Sequence, residues 1–144
     1  MSRATFLDQE RIDSALQAIK EVKDQAKDPA VGSDYTAYVR ALPAMIITAG
    51  LAPALSFLLS KAAGENDARG MLARHVARRV LQVAGVDSAG KDTSEDPATR
   101  CLRKIAAASS AEYRHWESEA LAYVTWLKRL TEAQLGKRSK QMSE

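Results

Sequence analysis

A run of 20 residues without a charge, residues 41–60, constrains the fold of this chain more than any other feature. A run of this length and apolar character could cross a membrane as a helix. Pro43, Gly50 and Pro53 interrupt it, however, and proline breaks or kinks a helix because it lacks a backbone N–H. The run therefore favours a kinked pair of apolar helices in the core of a helical domain over a membrane span.

The composition of the chain agrees with an all-α fold. Good helix formers dominate, 46% of the residues are hydrophobic, and 27% are charged. These values exclude collagen-like, low-complexity and wholly disordered chains. Because 144 residues is the length of one domain, we expect a single compact helical domain over residues 1–136 and a basic, flexible tail over residues 137–144.

Apolar residues recur at helical spacing in about six segments. The first segment covers residues 8–26, and a turn-rich loop is predicted over residues 28–34, with Ser33 or Asp34 capping the second helix. Pro43 predicts a kink in that helix or a new helix start. We expect a loop at residues 87–96. The remaining helices are predicted over residues 51–63, 66–84, 97–108 and 110–135, the last being the longest.

Residues that could carry catalysis are sparse in this sequence. His75 and His115 fall on different helices without a second ligand in sequence reach, so we interpret both as helix-surface residues. Cys101 is the single cysteine, which excludes an intramolecular disulfide, and a lone cysteine on a helix is typically a small buried hydrophobe. Residues 85–91 lack the pattern of a phosphate-binding loop. We therefore expect no catalytic site, metal or cofactor, and a cytoplasmic location, since no signal segment is apparent.

Basic residues are concentrated in the second half of the chain. Residues 1–68 contain 7 basic and 9 acidic residues, whereas residues 69–144 contain 14 basic and 9 acidic residues. In the fourth helix, Arg74 and Arg78 lie one turn apart and face away from the apolar stripe, which Arg79 flanks. Aligned cations suit a phosphate backbone, which proteins recognise by charge. The alternative is a solvated face with local ion pairs.

Two blocks of residues are specific enough to compare with known families. The first contains Leu-Pro and Gly-Leu at a fixed distance within an apolar helical run, and the second lies in the last helix. The first block is Tyr35, Tyr38, Val39, Leu42, Pro43, Ile46, Gly50, Leu51, Leu55, Phe57, Leu58 and Lys61, and the second is Tyr113, Arg114, Glu119, Ala120, Leu121, Trp126, Leu127, Lys128 and Arg129. Together they resemble the small subunit of the type III-B CRISPR effector, the Cmr complex. Members of that family often carry Asn and Thr where this chain has Ala49 and Ser118.

The resemblance implies an all-α, non-catalytic subunit of an RNA-guided antiviral complex. Copies would stack head to tail along the inner filament and help accommodate the target strand, whereas the neighbouring backbone subunit holds the guide RNA and cleaves the target. Such stacking needs a heterologous contact that does not close into a ring. The implied partners are the backbone subunit, the large polymerase/cyclase-like subunit, further copies of itself, the guide RNA and single-stranded target RNA, with no membrane.

The residues expected to contact RNA come from the two blocks and from the charge pattern of the fourth helix. Each would bind phosphate or an acid of a neighbouring subunit. Neutralising Arg74 and Arg78 together is predicted to lower target-RNA affinity equally for all sequences and to flatten its salt dependence. A local pair of Lys128 with Glu132 is the competing interpretation for the last helix. The full set is Arg40, Lys61, Arg74, Arg78, Arg79, Arg114, Lys128 and Arg129.

Three other functions stay open from the sequence. The chain could be a small helical subunit of a related RNA-guided complex, which would have different partners. It could be a helical DNA-binding regulator that uses residues 69–83 for recognition, although no short helix-turn-helix spacing precedes that helix. It could also be an enzyme whose site is assembled only by the tertiary structure.

Overall fold

The computed structural model describes residues 3–25, 28–64, 67–86 and 95–136, which form one all-α domain. Most of the loop expected at residues 87–96 and the whole tail at residues 137–144 lie outside the described residues. No helix in the described part of the chain is long and apolar enough to cross a membrane. The helices are α1 (Arg3–Gln25), α2 (Pro29–Ala49), α3 (Leu51–Lys61), α4 (Ala68–Val83), α5 (Pro97–Ala106) and α6 (Ser110–Thr131), and α6 continues into a π-helical turn (Glu132–Gly136).

Helix α2 begins earlier than the sequence analysis predicts. The loop expected at residues 28–34 is wrong, because Asp28 accepts a hydrogen bond from the Ala30 amide at 3.0 Å and Pro29 occupies the first helical position. An Asp-Pro pair is a strong start signal, since the carboxylate caps free amides and proline needs no hydrogen bond there. The same pair starts α5, where Asp96 accepts a hydrogen bond from the Thr99 amide at 3.0 Å.

The apolar run forms the second half of α2 and all but the last residue of α3. Pro43 lies inside α2, so the run does not restart there, and Gly50 separates the two helices as predicted. Gly50 has a φ of 102°, in the left-handed region that favours glycine. Pro53 falls in the first turn of α3, where its missing N–H costs no helical hydrogen bond. The prediction of a buried apolar helix pair is therefore confirmed for the side chains that face the core.

Helix α4 is the centre of the domain. It packs against each of the other five helices, and ten of its sixteen residues are buried. Of the predicted stripe of Leu72, Val76, Val80 and Val83, the first three residues are almost fully buried and Val83 is half-buried. A helix with neighbours on most of its sides must also bury polar positions beside its apolar stripe, and these need internal partners. The surroundings of the α4 arginines therefore depend on which helices pack against α4 as well as on charge.

Candidate nucleic-acid interface

The outward face of α6 carries cations at both ends. Arg114 and Arg129 are exposed, as are Ser118 and Thr125 between them, and Lys128 is half-buried in the last turn. A capping box at the N-terminus of α6 fixes the start of this helix. Arg129 follows Arg114 by 15 positions, which correspond to about 22 Å along the helix axis. This face therefore offers two cations at a separation that several nucleotides of a strand can span.

Arg40 joins this face at the C-terminal end of α6. Its Nε atom donates a hydrogen bond to Oε1 of Glu132 at 2.9 Å, and both side chains are exposed, at 53% and 37%. The structure thus pairs Glu132 with Arg40 of α2, whereas the local interpretation paired it with Lys128. Lys61 lies apart from this group, exposed in the last turn of α3.

Arg74 and Arg78 extend from α4 to α1. Arg78 donates hydrogen bonds of 2.9 and 2.8 Å to the two carboxylate oxygens of Glu21, and Arg74 donates one of 3.1 Å to Gln25. The Arg78 side chain remains 40% exposed, but its charge is already compensated. A phosphate would have to displace Glu21 before it could bind Arg78. The pair is therefore a weaker candidate for RNA contact than the arginines of α6.

Arg79 is the one member of the expected RNA-binding set that the described structure buries. It is 5% exposed and donates hydrogen bonds of 3.1 and 2.9 Å to Oε1 of Glu119, which is also 5% exposed. Arg11 donates to both oxygens of the same carboxylate, at 3.0 and 2.7 Å. Burial raises the pKa of Glu119, but the hydrogen bonds from Arg11 and Arg79 outweigh it and hold that pKa below its ordinary value. Because its guanidinium is enclosed, Arg79 offers almost no surface to phosphate.

The interpretation of both histidines as surface residues is wrong for His75. The ring of His75 is buried against Tyr35, whose hydroxyl lies 2.8 Å from Nδ1, because α4 has neighbours on most of its sides. His115 is exposed, as expected. Cys101 is fully buried, which confirms its role as a small hydrophobe, and burial raises the pKa of its thiol to about 12. A thiol with this pKa is a poor nucleophile at neutral pH.

The two sequence blocks meet at the turn between α2 and α3. The Leu51 amide donates to Oε2 of Glu117 at 2.9 Å, and the Ala52 amide donates to the Tyr113 hydroxyl at 3.0 Å. Two side chains of α6 thus satisfy free amides at the N-terminus of α3, where a carboxylate is also favoured by the helix dipole. The contact brings Gly50 of one block beside Tyr113 of the other, and it anchors the outward face of α6.

This turn provides a stability test. We expect Gly50→Ala to lower the free energy of unfolding by about 1–2 kcal/mol, because alanine is strained at a φ of 102°. Its Cβ atom would also lie 3.3 Å from Oε2 of Glu117. The control is Gly32→Ala inside α2, where the added Cβ meets no atom within 4 Å and should stabilise the helix slightly. Urea unfolding followed by circular dichroism should give opposite signs, and equal effects would contradict this account.

The partners of the α4 arginines are the part of the structure that the sequence analysis missed. Glu119 interrupts the apolar face of α6, and Arg79 flanks the apolar stripe of α4. Opposite charges on two faces that are both expected to be buried are a sign of an internal ion pair.

Among the described residues, no group of three or more His, Cys, Asp or Glu side chains is arranged to hold a metal ion.

Comparison with known proteins identifies the family. A family model described as CRISPR-associated protein (Cas_Cmr5) matches residues 7–134, which is most of the chain. A comparison with curated proteins found no match. The matched range contains both sequence blocks and all six helices except the first residues of α1. The chain therefore belongs to the Cas_Cmr5 family, the small CRISPR-associated subunits of the type III-B Cmr complex.

Proposed function

We propose that this chain is a non-catalytic subunit that stacks into the inner filament of the Cmr ribonucleoprotein and helps accommodate single-stranded target RNA against the guide RNA. Its partners in this role are the backbone subunit, the large polymerase/cyclase-like subunit, further copies of itself and the two RNAs, in the cytoplasm. Cleavage of the target belongs to the backbone subunit. The chain would thus contribute to antiviral defence by joining the complex and by binding RNA phosphates with its positive charges.

The outward face of α6 is the observation that carries the RNA-binding part of this proposal. Arg114 and Arg129 are exposed about 22 Å apart on one rigid helix, and Lys128 and Arg40 lie near its C-terminal end. A strand laid along α6 could pair its phosphates with both arginines without any base-specific contact. Such binding would serve a complex whose specificity comes from the guide RNA.

A reconstituted Cmr complex containing R114Q/R129Q tests this assignment. We expect its affinity for target RNA to fall by a similar factor for every target sequence, because phosphate contacts carry no sequence information. The slope of log Kd against log salt concentration should fall by about 1.4, since each phosphate contact to a single strand contributes about 0.7. The measurement is target binding between 50 and 300 mM salt, roughly the range in which such contacts weaken.

The matched control is K20Q/K23Q, which removes the same charge from the exposed side of α1. Its salt slope should equal that of the unmodified complex. The subunit composition of each complex is measured in parallel, so that loss of assembly is not mistaken for loss of RNA contact. Equal slopes for both variants in fully assembled complexes would refute the α6 interface, and a preference of the chain for duplex DNA would favour the regulator.

A further inference from the structure

A groove beside the outward face of α6 is not explained by the proposed RNA contact. It has a volume of about 740 Å³ and lies where α1, α4 and α6 meet. Ser14 and Gln17 of α1 form one wall, Gln82 of α4 forms the other, and His115 and Ser118 of α6 close one side. A volume of this size is in the range that holds a few side chains or a small ligand.

The floor of the groove consists of charges that already compensate one another. Glu119 lies beneath it with Arg11 and Arg79, and the three are joined by hydrogen bonds of 2.7–3.1 Å. Asp8 accepts a further hydrogen bond of 2.9 Å from Arg11, so that two carboxylates balance the two guanidinium groups. Arg79 is 5% exposed, and the Arg11 side chain is 15% exposed. Both guanidinium groups are thus withdrawn from the opening and neutralised, so neither attracts an anion from solution.

The rim of the groove carries accessible charge of one sign. The Glu10 side chain is 45% exposed, and its carboxylate is 3.9 Å from Arg79, a distance too long for a hydrogen bond. Asp13, one turn further along α1, is exposed. Apart from Arg11 and Arg79, the only basic side chain among the described residues that line the groove is the imidazole of His115. A phosphate entering here would meet two carboxylates, whereas a cation would be attracted by both.

We propose that this groove binds a lysine- or arginine-bearing segment of a neighbouring protein subunit. A guanidinium or ammonium group would pair with Glu10 and Asp13 at the rim. Gln17 and Gln82 are exposed, and each uses one amide atom within the chain, toward Asp13 and Arg79. Oε1 of Gln17 could accept from the backbone of the same segment, and Nε2 of Gln82 could donate to it. The inference rests on the proposed function only in that it needs the chain to lie beside other protein subunits. It assigns protein contact to the α1 side of α6 and leaves RNA to the outward face.

A photo-crosslinking experiment in the reconstituted complex tests the proposal. Gln17 is replaced by benzoyl-phenylalanine, the complex is irradiated, and the crosslinked products are identified by mass spectrometry. We expect a crosslink to a peptide of another protein subunit that contains lysine or arginine within a few residues of the attachment point. A crosslink to RNA, to a peptide without basic residues, or to nothing would overturn the proposal.

A charge-neutralising variant measures the contribution of the rim. We expect E10Q/D13N to bind the remaining subunits about tenfold more weakly than the unmodified chain, because two charge contacts are lost. The control D24N/D34N changes the net charge equally at exposed acids outside the groove and should bind normally. Equal binding of both variants would contradict the proposal. The salt slope of RNA binding should be unaffected by E10Q/D13N, so the groove and the α6 interface can fail separately.

Discussion

Replacing Glu119 by glutamine is expected to lower the free energy of unfolding by about 3–5 kcal/mol, the largest effect of any single substitution considered for this chain. Glutamine keeps the size of the side chain but removes its charge. Arg79 would then keep a buried positive charge without its hydrogen-bonded carboxylate, whereas Arg11 would retain only Asp8, at 2.9 Å. Uncompensated charges in the interior are costly because they have lost their water, and no nearby acid is placed to replace Glu119 at hydrogen-bond distance from Arg79.

The matched control for this prediction is a substitution of Glu132, in the turn that continues α6. Glu132 also accepts a hydrogen bond from an arginine, Arg40, at 2.9 Å, but both partners are exposed. We expect Glu132→Gln to cost at most about 1 kcal/mol, because water solvates the arginine when its partner is lost. Urea unfolding at pH 7 compares the two variants. Similar losses of stability in both would mean that burial does not determine the strength of the Glu119 contact.

The helices of this chain could be predicted well from local signals. Apolar spacing located all six, and Gly50, Asp96 and the proline that follows it marked helix ends because their backbone roles are local. The loop predicted at residues 28–34 is wrong because Asp28 and Pro29 start a helix there, although Gly32 and Ser33 favour a turn. Once a cap and a proline start a helix, a glycine in its second turn costs only about 1 kcal/mol, which the buried side of α2 outweighs.

The candidate site could be predicted only in part, because its geometry depends on which helices become neighbours. The exposure of Arg114 and Arg129 followed from the periodicity of one helix. The burial of Arg79 did not, since it depends on α4 being surrounded by the other five helices and on Glu119 arriving from 40 residues away in sequence. Helical spacing gives the direction of a side chain from its own axis but not what lies opposite it.

His75 illustrates the same dependence on tertiary neighbours, and it makes the stability of the fold sensitive to acid. Its side chain is 1% exposed, with the Tyr35 hydroxyl 2.8 Å from Nδ1 and Oε2 of Glu21 3.0 Å from Nε2, the latter without hydrogen-bond alignment. Burial lowers the pKa of His75 from 6.5 to about 4; the charge of Arg78 acts in the same direction, and Glu21 opposes it. The ring is therefore neutral in the folded chain at neutral pH.

We expect the folded chain to lose about 2 kcal/mol of stability through His75 between pH 7 and pH 5. In this range the unfolded chain binds a proton at this histidine, whose ordinary pKa is 6.5, whereas the folded chain does so only near pH 4. Stability from the neutral ring is thus present above pH 6.5 and falls as the pH falls toward 4. Urea unfolding at pH 7, 6 and 5 should show this loss in the unmodified chain and in His115→Gln, but not in His75→Gln.

A direct titration of the imidazole separates this effect from damage caused by the substitution. The NMR signals of the His75 ring in the unmodified chain should stay those of a neutral imidazole down to about pH 4. A His75 signal that titrates near the ordinary histidine value of 6.5 would contradict the buried, neutral ring. Agreement between a neutral His75 signal and the unfolding data would establish that α4 holds an uncharged histidine between Glu21 of α1 and Tyr35 of α2. The resulting loss of folding stability appears only in acid.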